Sequence, residues 1–506
     1  MKKILVISLL LLTLIIAGCS PGTGKADLVI AVPQDPDFLD PHKAEAAGTQ
    51  EMMNNVFEGL MKASVEGMPV EAIASDYTIS DDALVYTFTL RDGVKFHNGE
   101  DVTVDDVIWS YTRAGSDHPG IQTQEALVGV TIEAVGENQI RFTLPEPNGA
   151  FLEAMTAAVI DSSAVEGMEL EAADEVINRE PIGTGPYRFV SYNPTQNILL
   201  ERFEDYWDID KAGRLETVEF RLFADNSAAL SSLLAEEVDL LPRITIDQIA
   251  SLPESYEVFE GQQNLIQILG LNHDFGPFAK QAVREAINYA IDKDALIDRV
   301  ADGKGTKLGS NMSPVMDYWF EDGLADLYPH DIEKAKQLLE EAGETGLSFT
   351  ISIPSNYDHH IKTGEVLVEQ LAQAGITANI ELVEWLVWMD RIYFGEDYEA
   401  TIIAFDGKLD PHPVMHRYMS DYPQNFLNYS NPEYDKLMIE GLTSIDQAKR
   451  AEAYKAGQRI IAEDSGVIFL MDPSLLIAHK KTLKGYTLYP VYFQDVAPLY
   501  FEEPGA

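Results

Sequence analysis

The sequence predicts an α/β protein that also contains a β-rich region. In the C-terminal half, a helix ending at Ala342-Gly343 is followed by a strand, and the same order returns at Ala374-Gly375, 32 residues later. This spacing is typical of βαβ units, whose right-handed crossovers build a parallel sheet. Residues 72–113 instead read as short strands and turns. Without residues 1–18, a predicted signal peptide, 488 residues remain, enough for two or three domains of roughly 100–200 residues.

The N-terminal part begins with a strand and a helix. Leu28–Val32 is an apolar run that predicts a strand, and apolar residues at helical spacing predict a helix over Thr49–Met61. Val85–Leu90 is rich in β-branched and aromatic residues, and the turn after it predicts Val94–Phe96 as its hairpin partner. A helix over Thr103–Arg113 follows, with Thr103 as its N-cap.

The later elements follow from the same patterns of periodicity and turn residues. Up to residue 241 they are a hairpin of Ile132–Val135 with Gln139–Leu144, the strands Gly183–Phe189, Val218–Phe223 and Val238–Leu241, and the helix Ser227–Glu236. Beyond residue 265 the predicted helices are Phe278–Ile291, Asp331–Ala342, Thr363–Ala374 and Ile445–Glu463, and the strands are Ser348–Ile353, Ile376–Val383, Thr401–Phe405 and Val467–Leu470.

The N-terminus predicts a bacterial lipoprotein signal. Two lysines precede an apolar stretch that is short for a membrane span, and Ile16-Ala17-Gly18 then leads into Cys19, the only cysteine of the chain. Cleavage before Cys19 would leave a diacylated thiol, and two acyl chains anchor a protein stably to a membrane. Residues 19–26 then form a flexible tether, and the rest of the protein works outside the cytoplasm, at the cell surface or in a periplasm.

Charge and composition exclude several function classes. A net charge of −47 repels nucleic acids and anionic lipid headgroups, so no nucleic-acid partner is expected. With its one cysteine lipidated, the chain forms no disulfide and depends on its hydrophobic cores. The sequence contains no G-x-S-x-G, H-E-x-x-H, Walker or C-x-x-C motif, so it is not expected to be an enzyme or to hold a metal or cofactor. His359-His360 and the pair His412 and His416 could each ligate a metal, but loop histidines that are exposed or hydrogen-bonded are the commoner interpretation.

Several segments, in order, resemble the family 5 extracellular solute-binding proteins of ABC importers, the oligopeptide, dipeptide and nickel-binding group. The segments are Asp40-Pro41-His42 with Phe57-Glu58-Gly59-Leu60, the stretch Tyr86 to Gly99 with Asp105-Asp106-Val107 and Ser110, Pro181 to Tyr187, and Asn272 with Pro277-Phe278 and Val283 to Asp292. Four such blocks over nearly the whole mature chain make the resemblance specific.

The resemblance implies a clamshell of two α/β lobes with an extra β-rich subdomain on the first lobe. The predicted division is lobe 1 over 27–264, with the subdomain at 62–180, lobe 2 over 265–474, and a return to lobe 1 over 475–506. A ligand would be enclosed between the lobes by hinge closure and handed to permease subunits. The protein is expected to act as a monomer.

The ligand-binding positions of the family match this sequence less closely than its fold motifs do. Peptide-binding members use an Asp three residues before an acid-Pro pair to hold the peptide's α-amine, whereas here Asp406 lies four residues before Asp410-Pro411. Asp406 and Asp410 are therefore both candidates for the amine. His360 and Lys362 are candidates for a carboxylate-binding cation. Trp385 and Trp388 are candidates for a stacking platform, although core packing is the commoner use of such residues.

A short peptide or similar zwitterion is the expected ligand. Within the same fold, the alternatives are a nickel chelate, an oligosaccharide or an opine-like compound. From other classes, an extracellular hydrolase and a chemosensory or adhesion protein remain open.

Overall fold

The computed structural model describes residues 25–502, and its two halves share one large sheet. Cys19, the predicted signal peptide and most of the predicted tether lie outside the described residues. The elements up to residue 180 are β1 (Leu28–Val32), α1 (Ala47–Met53), β2 (Met61–Ala63), β3 (Pro69–Glu71), β4 (Ala74–Ile79), β5 (Val85–Leu90), α2 (Val104–Ala114), β6 (Thr131–Ala134), β7 (Gln139–Thr143), α3 (Phe151–Ala154) and α4 (Leu170–Arg179).

The chain then completes the first half and builds the second. Up to residue 262 the elements are β8 (Tyr187–Asn193), β9 (Asn197–Arg202), β10 (Thr217–Leu222), α5 (Asn226–Leu234), β11 (Leu240–Leu241), α6 (Ile246–Ile249) and β12 (Tyr256–Gln262). The second half contains β13 (Leu265–Leu271), α7 (Gln281–Ala290), α8 (Lys293–Ala301), β14 (Gly305–Lys307), α9 (Ile332–Ala342), β15 (Ser348–Pro354), α10 (Asp358–Gln373), β16 (Thr377–Val383), α11 (Trp385–Val387), a π-helical turn (Trp388–Tyr393), β17 (Ala400–Asp406), α12 (His412–Met415), α13 (Pro432–Thr443) and α14 (Gln447–Glu463). The last strands are β18 (Ile468–Lys480), β19 (Leu483–Lys484) and β20 (Tyr500–Phe501).

One long strand joins the two halves. The 12-stranded sheet has the order β16-β15-β17-β13-β18-β11-β1-β10-β9-β8, and β12 and β14 also pair with β18. The first part of β18 pairs with β13 and β14 of the second half, and its last part pairs with β11 and β12 of the first half. Strand β18 is thus one connection between the halves. The second connection is the segment between β12 and β13, which runs beside β18. Asp472 ties the two connections together, because its carboxylate accepts hydrogen bonds from the backbone N–H groups of Asn264 and Leu265, both at 3.1 Å.

The β-rich region has a core of its own. Its sheet has the order β4-β5-β7-β6, and the buried rings of Phe88, Phe142 and Phe151 pack between this sheet and α2. Helix α2 begins with a capping box, in which Thr103 and Asp106 satisfy each other's backbone N–H groups. This region is therefore a compact unit that lies beside the main sheet.

The predicted α/β class and two-lobed fold are confirmed, and so are the parallel pairs of β15 with β16 and β17. The residue limits of the lobes stay a prediction, because the sheet runs through both of them without a break. Within residues 25–502, no helix is long and apolar enough to cross a membrane.

Two predicted elements are wrong in extent or pairing. The helix predicted over Thr49–Met61 ends at Met53, because the Asn55 side chain donates to the carbonyls of Met52 and Gln494 and turns the chain. Val94–Phe96 does not pair with β5, because β4 and β7 already occupy both of its edges.

A third prediction is wrong about where a helix starts. Helix α10 begins at Asp358, five residues before the predicted start at Thr363, so His359 and His360 are helical rather than in a loop. The two adjacent histidines therefore sit in the first turn of a helix. This start decides which of the predicted ligand residues face the space between the lobes.

Candidate functional site

A cavity of about 890 Å³ lies between the two halves of the molecule. The first half contributes Glu51, Arg243 and a series of tyrosines in the segment that follows β19. The second half contributes the start of α10, the segment around Trp385 and the C-terminal end of β17. A volume of this order, with mainly aromatic walls and a few charged groups, is typical of a small-molecule site.

Asp406 is the last residue of β17 and is exposed to the cavity. The hydroxyl of Tyr492, which comes from the other half, donates a hydrogen bond to its carboxylate. Burial and the charge of Asp406 raise the pKa of Tyr492 above its usual value, so this hydroxyl keeps its proton. Gly407 sets the turn after the strand, because a Cβ at this position would lie 1.7 Å from the Asn264 side chain. Asp406 is thus a carboxylate with a neutral partner, open to a ligand.

Arg417 is a cation of the cavity wall that sequence reasoning missed. Its guanidinium lies 4.1 Å from the centre of the Phe405 ring. In the described part of the chain it forms no ion pair, and its buried Nε has no hydrogen-bond partner. The one sequence signal was an arginine just after a histidine pair, which does not distinguish it from any surface arginine.

The second cavity arginine already has a partner. Arg243 donates to both carboxylate oxygens of Glu51, with Nη1 at 2.9 Å from Oε2. The same guanidinium lies 6.0 Å from the centre of the Tyr492 ring. Arg243 and Glu51 are far apart in sequence, so their pairing follows from the fold alone.

His359 and His360 line the cavity from the first turn of α10. Burial lowers the pKa of His360 to about 3 and that of His359 to about 4, so both rings are neutral at pH 7. The amide of Gln267 lies 2.9 Å from His360 Nδ1 and holds the ring in place. His360 is therefore brought to the cavity, but as a hydrogen-bonding group rather than as the expected cation.

Lys362 and Asp410 lie outside the cavity lining. Lys362 sits further along α10, although its charge is close enough to help lower the pKa of His359. Asp410 is buried and accepts two hydrogen bonds from Arg450 Nη2, at 2.8 and 2.7 Å. This carboxylate is therefore already paired with a buried guanidinium, and its role toward a ligand stays a prediction.

Trp385 and Trp388 do form one platform. Their rings stack with centroids 5.4 Å apart and an interplanar angle of 6°. Trp388 is buried, and its indole N–H donates to Thr401 Oγ1 at 3.0 Å. Trp385 is half-buried and lines the cavity. Both rings line the cavity, but Trp388 is almost fully buried, so Trp385 supplies the ring surface that a ligand can reach.

The remaining histidine pair has no ligand environment. The rings of His412 and His416 stack 5.3 Å apart, and His416 Nδ1 donates to the carbonyl of His412 at 3.0 Å. Within residues 25–502, no group of three or more His, Cys, Asp or Glu side chains is arranged to hold a metal ion.

Comparison with known proteins decides the family. Residues 68–426, well over half of the chain, match the model of the bacterial extracellular solute-binding proteins, family 5 Middle. The chain belongs to this family. The resemblance inferred from the sequence blocks is therefore confirmed, and the family is one of solute-binding proteins.

Individual family 5 proteins are similar over almost their whole length. The glutathione-binding protein GsiB of Shigella dysenteriae serotype 1 is 27% identical over 505 residues, which cover 96% of each chain. The crystal structure of CtaP, an ABC transporter substrate-binding protein of Listeria monocytogenes, has a TM-score of 0.81 at 28% identity and covers 94% of this chain and 99% of that one. DppA of Helicobacter pylori, in complex with the peptide STSA, has a TM-score of 0.75 at 26% identity and covers 94% and 98%.

Proposed function

We propose that this protein is the substrate-binding component of an ABC importer and captures short peptides or similar zwitterions between its two lobes. The observation that carries the proposal is a cavity whose free charges have opposite signs. Asp406 is paired only with a neutral hydroxyl, and Arg417 has no ion-pair partner among residues 25–502. A peptide brings an ammonium at one end and a carboxylate at the other, which these two groups complement.

The aromatic walls support the same ligand class. Trp385, Phe405 and Tyr492 provide apolar faces beside the charged groups, and such faces pack against side chains without demanding one sequence. Two similar proteins point in the same direction, since one is a glutathione-binding protein and the other was solved with the peptide STSA.

Hinge closure is the proposed capture step. The cavity takes its walls from both halves, and the halves are joined by the β12–β13 connection and by β18. A ligand that contacts both walls stabilises the closed arrangement by its extra contacts there. The lobes then reopen at the membrane and release the ligand to the permease subunits.

The first experiment identifies what the protein carries. Protein purified under native conditions is denatured, and the released small molecules are identified by mass spectrometry. In parallel, calorimetry compares STSA with its N-acetylated and its C-amidated forms. We expect STSA to bind and each capped form to bind more weakly. Equal affinity for all three peptides would contradict a site built on Asp406 and Arg417.

Lipid anchoring through Cys19 is proposed from the sequence. Membrane fractionation should find the wild-type protein with the membrane and the Cys19→Ala variant in the medium or periplasm. The same distribution for both proteins would contradict the anchor.

A neutral oligosaccharide is the second candidate, because Trp385 presents one ring face to the cavity while Trp388 supports the other. Sugars among the released molecules, together with no heat from any peptide, would favour this candidate.

A further inference from the structure

The ionisable side chains that line the cavity carry an excess of negative charge. Within the described residues, the lining carboxylates are Glu51, Asp358 and Asp406, and the lining guanidinium groups are Arg243 and Arg417. The two lining histidines are neutral at pH 7, because burial keeps their pKa values at about 4 or below. The site therefore holds one more negative than positive charge before a ligand enters.

An ion pair within the cavity, between Arg243 and Glu51, leaves fewer charges free to interact with a ligand. Arg243 and Glu51 neutralise each other through two hydrogen bonds, and the Glu51 side chain is only 13% exposed. Removing Arg243 from this pair would leave Glu51 nearly buried with an unmatched charge, which is costly. The groups left for a ligand are then two carboxylates, Asp406 and Asp358, and a single cation, Arg417.

We propose that the cavity selects peptides whose net charge is zero or positive and rejects peptides with a second carboxylate, glutathione among them. This inference rests on the proposed peptide-binding function. Glutathione carries two carboxylates and one ammonium at pH 7, so Arg417 can neutralise only one of its carboxylates. The other meets a wall on which Asp358 stays uncompensated after the ammonium has paired with Asp406, and like charges in contact weaken binding. An added lysine side chain, in contrast, finds Asp358 free of ion pairs within residues 25–502.

Charges outside the cavity lining act on this selection in both directions. Lys362 lies one turn beyond Asp358 on α10 and outside the lining, so it weakens the field of Asp358 only in part. The whole chain carries a net charge of −47, whose potential lowers the local concentration of anionic ligands at low salt.

The test uses three tripeptides of one size, Ala-Lys-Ala, Ala-Gln-Ala and Ala-Glu-Ala, and glutathione, each titrated into the purified wild-type protein at low and at high salt. We expect the lysine and glutamine peptides to bind and the glutamate peptide to bind about tenfold more weakly or worse than the glutamine peptide. Glutathione should resemble the glutamate peptide. A glutamate peptide or glutathione that binds as well as the glutamine peptide overturns the inference and leaves peptide binding standing. If none of the four binds, the proposed function fails, and the inference fails with it.

Glu51→Gln provides the decisive variant, because it frees Arg243 and adds an unpaired cation to the wall. In this variant the glutamate peptide should recover about tenfold relative to the glutamine peptide. Asp421→Asn is the matched control, since Asp421 is exposed, lies outside the cavity lining and changes the net charge equally. Should Glu51→Gln fail to fold, Asp358→Asn at an exposed position makes the same comparison. Charge selection unchanged in both cavity variants would overturn the inference.

Discussion

Asp406 and Asp410 flank the same short loop after β17, yet they lie in opposite surroundings. Asp406 is exposed to the cavity, where a tyrosine hydroxyl from the other half donates to it. Asp410, four residues later, is buried and accepts two hydrogen bonds from Arg450 of α14. The two residues are chemically identical and were equal candidates for holding a ligand's amine.

The difference lies in what the rest of the chain brings to each carboxylate. A carboxylate whose charge is matched inside the protein contributes to folding, because separating the buried pair would expose an unmatched charge. A carboxylate left with a neutral donor still has electrostatic stabilisation to gain from a cation that arrives later. We therefore propose that the side of the loop facing the cavity contacts the ligand, whereas the buried side contributes to folding.

The largest expected effect is on the buried side. Asp410→Asn should lower the free energy of unfolding by about 3–5 kcal/mol, because it leaves the Arg450 guanidinium buried without its counter-charge. Denaturant unfolding at pH 7 measures this change. Asp406→Asn serves as the control and should leave stability nearly unaltered. An equal loss in both variants would remove the distinction between the two sides.

The next largest effect is on ligand binding, for which Asp406 should matter more than Asp410. Asp406→Asn should weaken binding of a peptide with a free amine by about 2–5 kcal/mol, since its ammonium then lacks a charged partner. Binding of the N-acetylated peptide should barely change. Calorimetry with STSA and its acetylated form separates the two cases. A loss of the same size for both peptides would mean that Asp406 does not contact the amine.

A smaller effect is expected at the opposite end of the ligand. Arg417→Met keeps an unbranched side chain over the Phe405 ring but removes the guanidinium. Binding of a peptide with a free carboxylate should weaken by about 1.5–3 kcal/mol, the usual range for a charged hydrogen bond. The C-amidated peptide is the matched probe, and its affinity should be the same for Arg417→Met and for the wild type. If it is affected as strongly, Arg417 acts on the shape of the cavity rather than on ligand charge.

The smallest effect concerns Glu153, which meets the buried side of the loop. Its carboxylate accepts a hydrogen bond from the backbone N–H of Leu409 at 3.3 Å. Burial, and then the charge of Asp410, raise the pKa of Glu153 from 4.5 to about 8. The folded protein therefore holds a proton that the unfolded chain releases above about pH 4.5. This contribution to stability is complete below that pH and is lost as the pH rises towards 8.

Glu153→Gln should remove this pH dependence, because glutamine stays neutral at every pH. Between pH 5 and 6, the wild type should lose about 1 kcal/mol of unfolding free energy relative to the variant. Glu137→Gln, at an exposed turn of the same β-rich region, is the matched control. Parallel stability profiles for wild type and Glu153→Gln would show that Glu153 titrates normally.

The sequence predicted elements well where local signals decide them. Helix α9 ends at Ala342 as expected, because Gly343 adopts the left-handed conformation that closes a helix. Helix α1 was overestimated, since its end depends on Asn55 reaching the carbonyl of Gln494, a contact between distant segments. Local periodicity carries no information about such contacts.

The same limit explains the candidate site. Asp406, His360 and Trp385 all line the cavity, and each could be proposed because it lies next to an element that the local sequence pattern predicts. The pair of Arg243 with Glu51 joins residues that no local pattern connects. The ion pair of Asp410 was not foreseen for the same reason, because its partner Arg450 comes from the distant helix α14. Its role toward a ligand stays a prediction.

The position of β18 also determines the order in which the molecule can be completed during synthesis. This strand is the neighbour of β13 in one half and of β11 in the other, although it is among the last segments of the chain to be made. Neither half can close its sheet until residues 468–480 have emerged, so the two halves should finish folding together. A chain cut after residue 467 should therefore lose both halves rather than leave one of them intact.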